Sequence, residues 1–234
     1  MTTDIDYTHK FRQFLERLPE ADASVVDEVD PDPIAVLIES FLLCESTLKI
    51  AAERYAKVRA AFVDYNELRV ALPHEVLAAC GANDKQLLEC CKGLREALND
   101  IFQREHATSL DRLRPLGKRD ARKYLDELRS MPPFVAARVA LIAFKAHAVP
   151  VDKRLRSLLI EEGAADPAID IAELGAWLAR QVKATDSAVV HASLQAWSDA
   201  AHDRLTKARA RKARASRKAK TSSPATTPRR VKKA

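Results

Sequence analysis

Signals that start a helix recur along this chain, while signals for a strand do not, and that asymmetry limits the fold to a packing of helices. Asp32 precedes Pro33, Ser46 and Thr47 precede an Ala-rich run, Asp64 has Glu67 three residues on, and Pro73 and Asp84 open further runs. Each places a capping oxygen or a φ-restricted ring just ahead of apolar residues at helical spacing. The segment KQLLECCKGLREALNDIF shows that spacing over several turns, and no segment alternates in the way a half-buried strand must. With only 5 glycines and 6% aromatic residues, the remainder is rich in good helix formers. A chain of 234 residues that is 47% hydrophobic can bury one sizeable core. The pattern predicts helices over 7–18, from Pro33, over 47–62, after Asp64, from Pro73 to Gly81, and from Asp84. Further helices are predicted over 118–130, 136–145, 153–162, 169–183 and 187–204, with a short turn at 109–114. Pro132 and Pro133 end the helix before them, because neither donates an N–H and each restricts the residue it follows. The fold class is all-α. Residues 1–203 form one helical domain, in which 7–31 are an N-terminal helix and acidic linker and 32–203 the core.

Charge divides the chain differently. From Arg204 onward there are 13 Lys and Arg and no acidic residue, which leaves 26 basic against 33 acidic groups, a net of −7, in residues 1–203. The segment 204–234 is low in complexity and holds a Ser/Thr/Pro stretch too polar to offset its own chain entropy, so it is expected to be disordered when free. Arg211, Lys212, Arg214, Arg217, Lys218 and Lys220 are its densest run of cations. Cations at this density without counter-charge point to a polyanion, and to duplex DNA bound through phosphates regardless of sequence. A solvated tail is the alternative.

Cys44, Cys80, Cys90 and Cys91 lie in apolar helical patterns without a C-x-x-C pair, which reads as reduced core thiols in a cytosolic chain, with no metal site. The N-terminal segment has neither a basic nor an apolar signal region, and Glu39, Arg138 and Lys145 interrupt the longest apolar runs, so no membrane span is expected. The expected location is the cytoplasm and its nucleoid, or a nucleus, and the expected state is a monomer. His74, His106, His147, His191 and His202 form no metal pair and no carboxylate triad. Trp177 and Trp197 fall at core-like spacing.

The run MPPFVAARVALIAF followed by VPVDKRLRSLL resembles the turn, helix, apolar loop and Val-Asp helix start of the helix-hairpin-helix DNA glycosylases, most closely their endonuclease III-like branch. PIAVLIESFLLCEST resembles that family's early buried helix, and TDSAVVHASLQAW its closing helix, so the resemblance covers about 165 residues. It implies a two-lobed helical domain that binds DNA in base-excision repair. Glu45 matches the position from which a glutamine wedges into the duplex. Matched one by one, the hairpin glycines become Pro133 and Val135 on either side of Phe134, so the backbone grip on a phosphate is weakened. Arg138 and Lys145 are candidates to replace it, and Val135 would be strained if it kept a positive φ. The lysine that forms a Schiff base in bifunctional members is matched by Ala137, so lyase chemistry by that route is not expected. No cysteine follows Cys91, so no iron–sulfur cluster or other cofactor is expected.

Asp152 matches the aspartate that supports flipped-nucleotide chemistry, where a carboxylate stabilises positive charge on the sugar or aligns a water. It is also a good N-cap, worth about 1 kcal/mol in that role alone. Lys153 and Arg154 are candidate phosphate contacts beside it, and Tyr65 and Phe134 candidate pocket or wedge residues. Three readings follow. The chain is a monofunctional DNA N-glycosylase using Asp152, or a catalytically silent DNA-binding or nucleoid-associated protein of that fold, or a helical interaction module with a basic anchor.

Overall fold

A computed structural model describes residues 6–19, 30–43 and 46–221, with side chains through Arg211. The described residues hold eleven α-helices: α1 (Tyr7–Arg17), α2 (Pro33–Leu42), α3 (Leu48–Ala61), α4 (Tyr65–Val70), α5 (Pro73–Ala79), α6 (Lys85–Glu105), α7 (Lys118–Asp126), α8 (Pro133–Phe144), α9 (Lys153–Glu161), α10 (Ile171–Gln181) and α11 (Ser187–Thr221). Among the described residues a single 3-10 turn covers Asp111–Leu113, and no strand occurs.

The helix starts are held by the side chains the sequence put there. Asp32 Oδ1 accepts from the Ile34 N–H at 2.9 Å, and Asp84 does the same for Gln86 at 2.8 Å. Asp64 accepts from both Asn66 and Glu67 at 2.8 Å, and the Glu67 carboxylate reaches back to the Val63 N–H. These bonds satisfy N–H groups that a helix cannot satisfy internally. Tyr65 donates to Asp32 Oδ2 at 2.6 Å, so it steadies the start of α2 rather than reaching into a cleft.

Two apolar clusters give the two lobes. The first is built around α2 and α8, each buried on nearly every face, with α3 to α7 packed about them. Helices apolar all round belong at a centre, and each fully buried Leu or Ile there contributes roughly 1.5–3 kcal/mol. The second draws on distant parts of the chain: Phe11 and Phe14 of α1 join Val149, Val151, Leu155, Leu159, Leu174, Leu178 and Leu194. Phe11 meets the edge of Trp177 at 5.5 Å and Phe14 that of Trp197 at 4.9 Å. Both tryptophans are therefore packing anchors.

The structure departs from the sequence reading at three boundaries. α7 stops at Asp126 instead of 130, and α8 starts at Pro133 instead of 136. Proline suits a first helical turn, where its missing N–H costs nothing. α11 does not end near 204 but runs to Thr221, so the expectation of disorder fails for 204–221. Ala, Lys and Arg stand at the top of the helix-propensity scale, and low hydrophobicity alone does not undo that. Residues 222–234 lie outside those described. By contact density the chain divides into residues 1–199 and 200–234; the described part of the second unit is helix alone.

The cysteine reading needs one correction. Cys80 and Cys91 are free and buried, and burial pushes the Cys91 thiol up to about 12. Cys90 is disulfide-bonded, with a partner outside the described residues. Neighbours on a helix point about 100° apart, so Cys91 faces the core while Cys90 is only half-buried.

Candidate active site

After α8 the chain crosses to the second lobe through a buried apolar segment that includes Ala146, Ala148, Val149 and Val151. Gly175 on α10 permits this crossing to lie close, since a Cβ there would stand 3.3 Å from the Val149 carbonyl oxygen. The crossing delivers Asp152 to the start of α9, where its Oδ1 accepts from the Leu155 N–H at 2.7 Å. The cap predicted from sequence is therefore present, and the capping residue also lines an open cleft.

That cleft has a volume of about 510 Å³, within the range of sites that hold small ligands or an extruded nucleotide. Asp152 and Lys153 form one side of it, Pro132 to Val135 the hairpin side, Ser40 and Phe41 part of the floor, and α6 the far wall. Burial raises the Asp152 carboxyl above the usual carboxylate range. The Leu155 N–H and the charge of Arg154 pull it back, and Asp199 adds to the rise. A partly buried carboxyl on a residue that lines a cavity, with its proton affinity raised, is a functional-site candidate.

The hairpin differs from the expectation at Val135. That residue lies inside α8, buried and without positive φ. The left-handed residue of this turn is Ser130, φ 53°, upstream of the two prolines. Pro133 is exposed at the first position of α8, and the Phe134 and Val135 side chains are buried. The Ala136 N–H is bonded to Pro132 O at 3.0 Å, so Phe134 and Val135 are the two first-turn donors left for an anion.

Arg138 and Arg154 are not phosphate contacts. Arg138 is 3% exposed; it donates to Ser40 Oγ at 2.8 Å and lies 3.9 Å from Glu39. α8 is the central helix of its lobe, so nearly every face of it is interior, including the one that carries this guanidinium. Arg154 ties α9 to α11 and to the start of α3, donating to Ser198 Oγ at 2.7 Å, Ser46 O at 2.7 Å and Asp199 at 2.9 Å. Replacing Arg154 by alanine is expected to destabilise the protein by about 1–3 kcal/mol, because the half-buried Asp199 loses its cation and Ser46 O and Ser198 lose a donor. The urea midpoint measures this, and an unchanged midpoint contradicts the role. Lys145 is exposed at the C-terminal end of α8, ~18 Å along the axis from the hairpin, so it does not join the hairpin donors. Lys153 is exposed and lines the cleft.

Ala137 lines a separate cavity of about 260 Å³ between α7, α8 and α10, as does His147, whose Nε2 lies 3.0 Å from Val182 O. Phe134 lines the Asp152 cleft without filling it. Glu45 lies outside the described residues, and so do the side chains of Lys212, Arg214, Arg217, Lys218 and Lys220; Arg211 is exposed on α11. Sequence reasoning missed the α6 wall, where Gln86, Glu89, Cys90, Gly93 and Glu96 share one face. The available signal was Gly93. A mid-helix glycine costs about 0.5–1 kcal/mol against alanine, and here a Cβ would stand 3.1 Å from Phe41 Cε1 and 3.3 Å from Ser130 O. Among the described residues no group of three His, Cys, Asp or Glu is placed to hold a metal ion, and no helix is long and apolar enough to cross a membrane.

Comparison with solved structures identifies the fold. Endonuclease III trapped in a covalent intermediate with DNA superposes with a TM-score of 0.59 at 13% identity, over 80% of this chain and 84% of that one. A thermostable thymine-DNA glycosylase gives 0.54 at 15% identity, over 82% and 84%. The 8-oxoguanine glycosylase/lyase of Clostridium acetobutylicum, in complex with DNA, gives 0.58 at 12% identity, over 85% and 71%. No family model matches the sequence, and no curated protein does.

Proposed function

We propose that this chain, which has the all-α fold of the helix-hairpin-helix DNA glycosylases, is a DNA-binding protein of base-excision repair and a monofunctional DNA N-glycosylase. The observation that carries the reading is Asp152 lining an open cleft next to the hairpin. A base extruded from the duplex enters the cleft, and its sugar remains at the mouth beside the carboxylate. As the C1′–N bond lengthens, positive charge grows on the sugar, and a fixed carboxylate in a partly water-excluded site stabilises it. The same carboxylate orients the water that adds to C1′. Nothing in this sequence of events calls for an amine nucleophile, an iron–sulfur cluster or another cofactor.

The basic segment of α11 supplies sequence-independent attraction to the duplex, with the Phe134 and Val135 N–H groups and Lys153 as local phosphate contacts. The protein acts as a monomer in the cytoplasm and its nucleoid, or in a nucleus. In such a reducing compartment Cys90 would stand as a thiol in the cleft wall.

The experiment is base release from duplexes carrying single uracil, oxidised or alkylated bases, read as strand breaks after alkali. Breaks on any of them support the enzyme. Binding without breaks supports the second reading, a silent DNA-binding protein, which is favoured by one specific observation: exposed Glu89 and Glu96 on the cleft wall repel phosphates. Gly93→Ala tests whether the cleft is the site. Its methyl group would press on Phe41 from 3.1 Å and push the ring into the cavity. Base release is expected to fall by about tenfold or more although the helix itself gains stability; unchanged release would move the site elsewhere.

A further inference from the structure

One reactive group of the cleft has no part in the chemistry above. Cys90 lines the cleft from α6, half-buried, and is disulfide-bonded. The sequence holds four cysteines, and Cys80 and Cys91 are free, so Cys44 is the one cysteine left to share that bond. Cys44 lies outside the described residues, but the chain is anchored on either side of it. The Leu43 N–H donates to Glu39 O at 2.8 Å at the end of α2, and Ser46 O accepts from Arg154 at 2.7 Å. A disulfide needs Cα atoms about 4–7 Å apart, so α6 has to pass close to the end of α2. Gly93 allows this, since a Cβ there would stand 3.1 Å from Phe41 Cε1. Cys90 precedes Gly93 by three residues, and Cys44 follows Phe41 by three.

The other two thiols do not compete. Cys80 and Cys91 are 3% and 0% exposed, and burial raises both, Cys91 to about 12. Only a thiolate attacks a disulfide. Cys90, in the lining of an open cleft, is within reach of a small dissolved molecule. We propose that Cys90 and Cys44 form a reversible redox-modification site, set by the disulfide and thiol forms of a low-molecular-weight couple such as glutathione, whose bond braces the α6 wall of the cleft against α2.

The exchange balances. One protein thiolate attacks a sulfur of the small disulfide, forms a mixed disulfide and expels one small thiolate. The second protein thiolate attacks the protein sulfur of that mixed disulfide and expels the other. The protein gives up two electrons and two protons, the small disulfide becomes two thiols, and excess thiol runs the same steps backward. In a reducing compartment the pair stands as two thiols, and the wall is held by packing alone. Oxidation closes the bond and restricts both the unfolded chain and the wall. Any effect on catalysis rests on the glycosylase reading above, because rate depends steeply on how firmly a site holds its geometry.

The test equilibrates the full chain with glutathione at graded ratios of disulfide to thiol. Samples are quenched in acid, unfolded, alkylated and weighed intact. Four alkyl groups are expected in excess thiol and two in excess disulfide, with a peptide pair joining Cys44 to Cys90. The oxidised chain is expected to melt about 5 °C or more above the reduced one. Cys90→Ser should form no internal bond and show no such gap. Four free thiols at every ratio, a bond between other cysteines, or equal melting temperatures overturn the proposal. Base release from the same samples is expected to be about threefold faster or more in the oxidised form. Equal rates overturn the effect on the cleft while the glycosylase reading stands. No release in either form removes the glycosylase reading, and the alkyl count and the melting gap still decide the redox site.

Discussion

Asp152→Asn will abolish base release, by roughly 10²–10³-fold or more, and leave the protein at least as stable as it was. The two halves of that expectation come from the same geometry. Asparagine keeps an oxygen for the Leu155 N–H, now accepted at 2.7 Å, and it ranks with aspartate as an N-cap. What it removes is the negative charge, the part the sugar needs. That charge is a burden to the folded state, because burial holds the carboxyl above its ordinary range. A carboxyl whose folded pKa is raised favours folding as it takes up a proton, so its ionisation at neutral pH weakens the fold slightly and Asn relieves this. Activity runs the other way. It requires the ionised form, so base release in the native protein should fall on the acid side at a pH above that of an ordinary aspartate. The pH profile and the denaturation curve together decide the matter. A variant that loses activity only because it unfolds would show that Asp152 is a cap and nothing more.

The sequence carried the element order because local chemistry carries it. Asp32, Asp64, Asp84 and Asp152 each cap the helix they precede, and side-chain caps act over three residues, within reach of a one-dimensional reading. Trp177 and Trp197 were legible for a similar reason, since their spacing marks an inward helix face. Arg138 and Arg154 were misplaced because a lone arginine looks the same in sequence whether it faces water or an interior. Only the packing of α8 at the lobe centre and the approach of α11 to α9 decide which, through partners 98 and 44 residues away. Apart from Gly93, the α6 wall was illegible for the same reason. Spacing alone does not distinguish Glu89 and Glu96 from a solvated helix face; the hairpin, arriving some 40 residues later, makes that face one side of a cleft. Asp152 itself was found, but its two meanings could be separated only by a cavity, and a cavity is a property of what is missing between distant segments. The end of α11 was misjudged because two local rules conflict there: low hydrophobicity argues for disorder, whereas Ala, Lys and Arg argue for helix.

Ending the chain after Asp203 will remove most of the salt-sensitive affinity for duplex DNA. The deleted segment holds 13 of the 39 Lys and Arg and none of the acidic residues, and what remains carries a net −7. Each phosphate neutralised by a cation releases condensed counterions, so the logarithm of the binding constant falls with the logarithm of salt at a slope near −0.9 per contact. If 6–10 of the tail cations reach phosphates, the full chain should lose about 10³–10⁵ in affinity between 50 and 200 mM salt. The shortened chain should show a shallow slope, set by Lys153 and the few other exposed cations that reach phosphates, and weak binding throughout, the neutral hairpin N–H groups adding little to the slope. The fold should not suffer, because neither apolar cluster includes a residue beyond Trp197. Base release at low salt then separates attraction from chemistry. With saturating DNA, the shortened protein should turn over at the rate of the whole one, since Asp152 and its cleft are intact, while far more DNA is needed to reach saturation. An unchanged salt slope after truncation would mean that the acidic body itself grips the duplex, and that the charge asymmetry of this chain serves another partner.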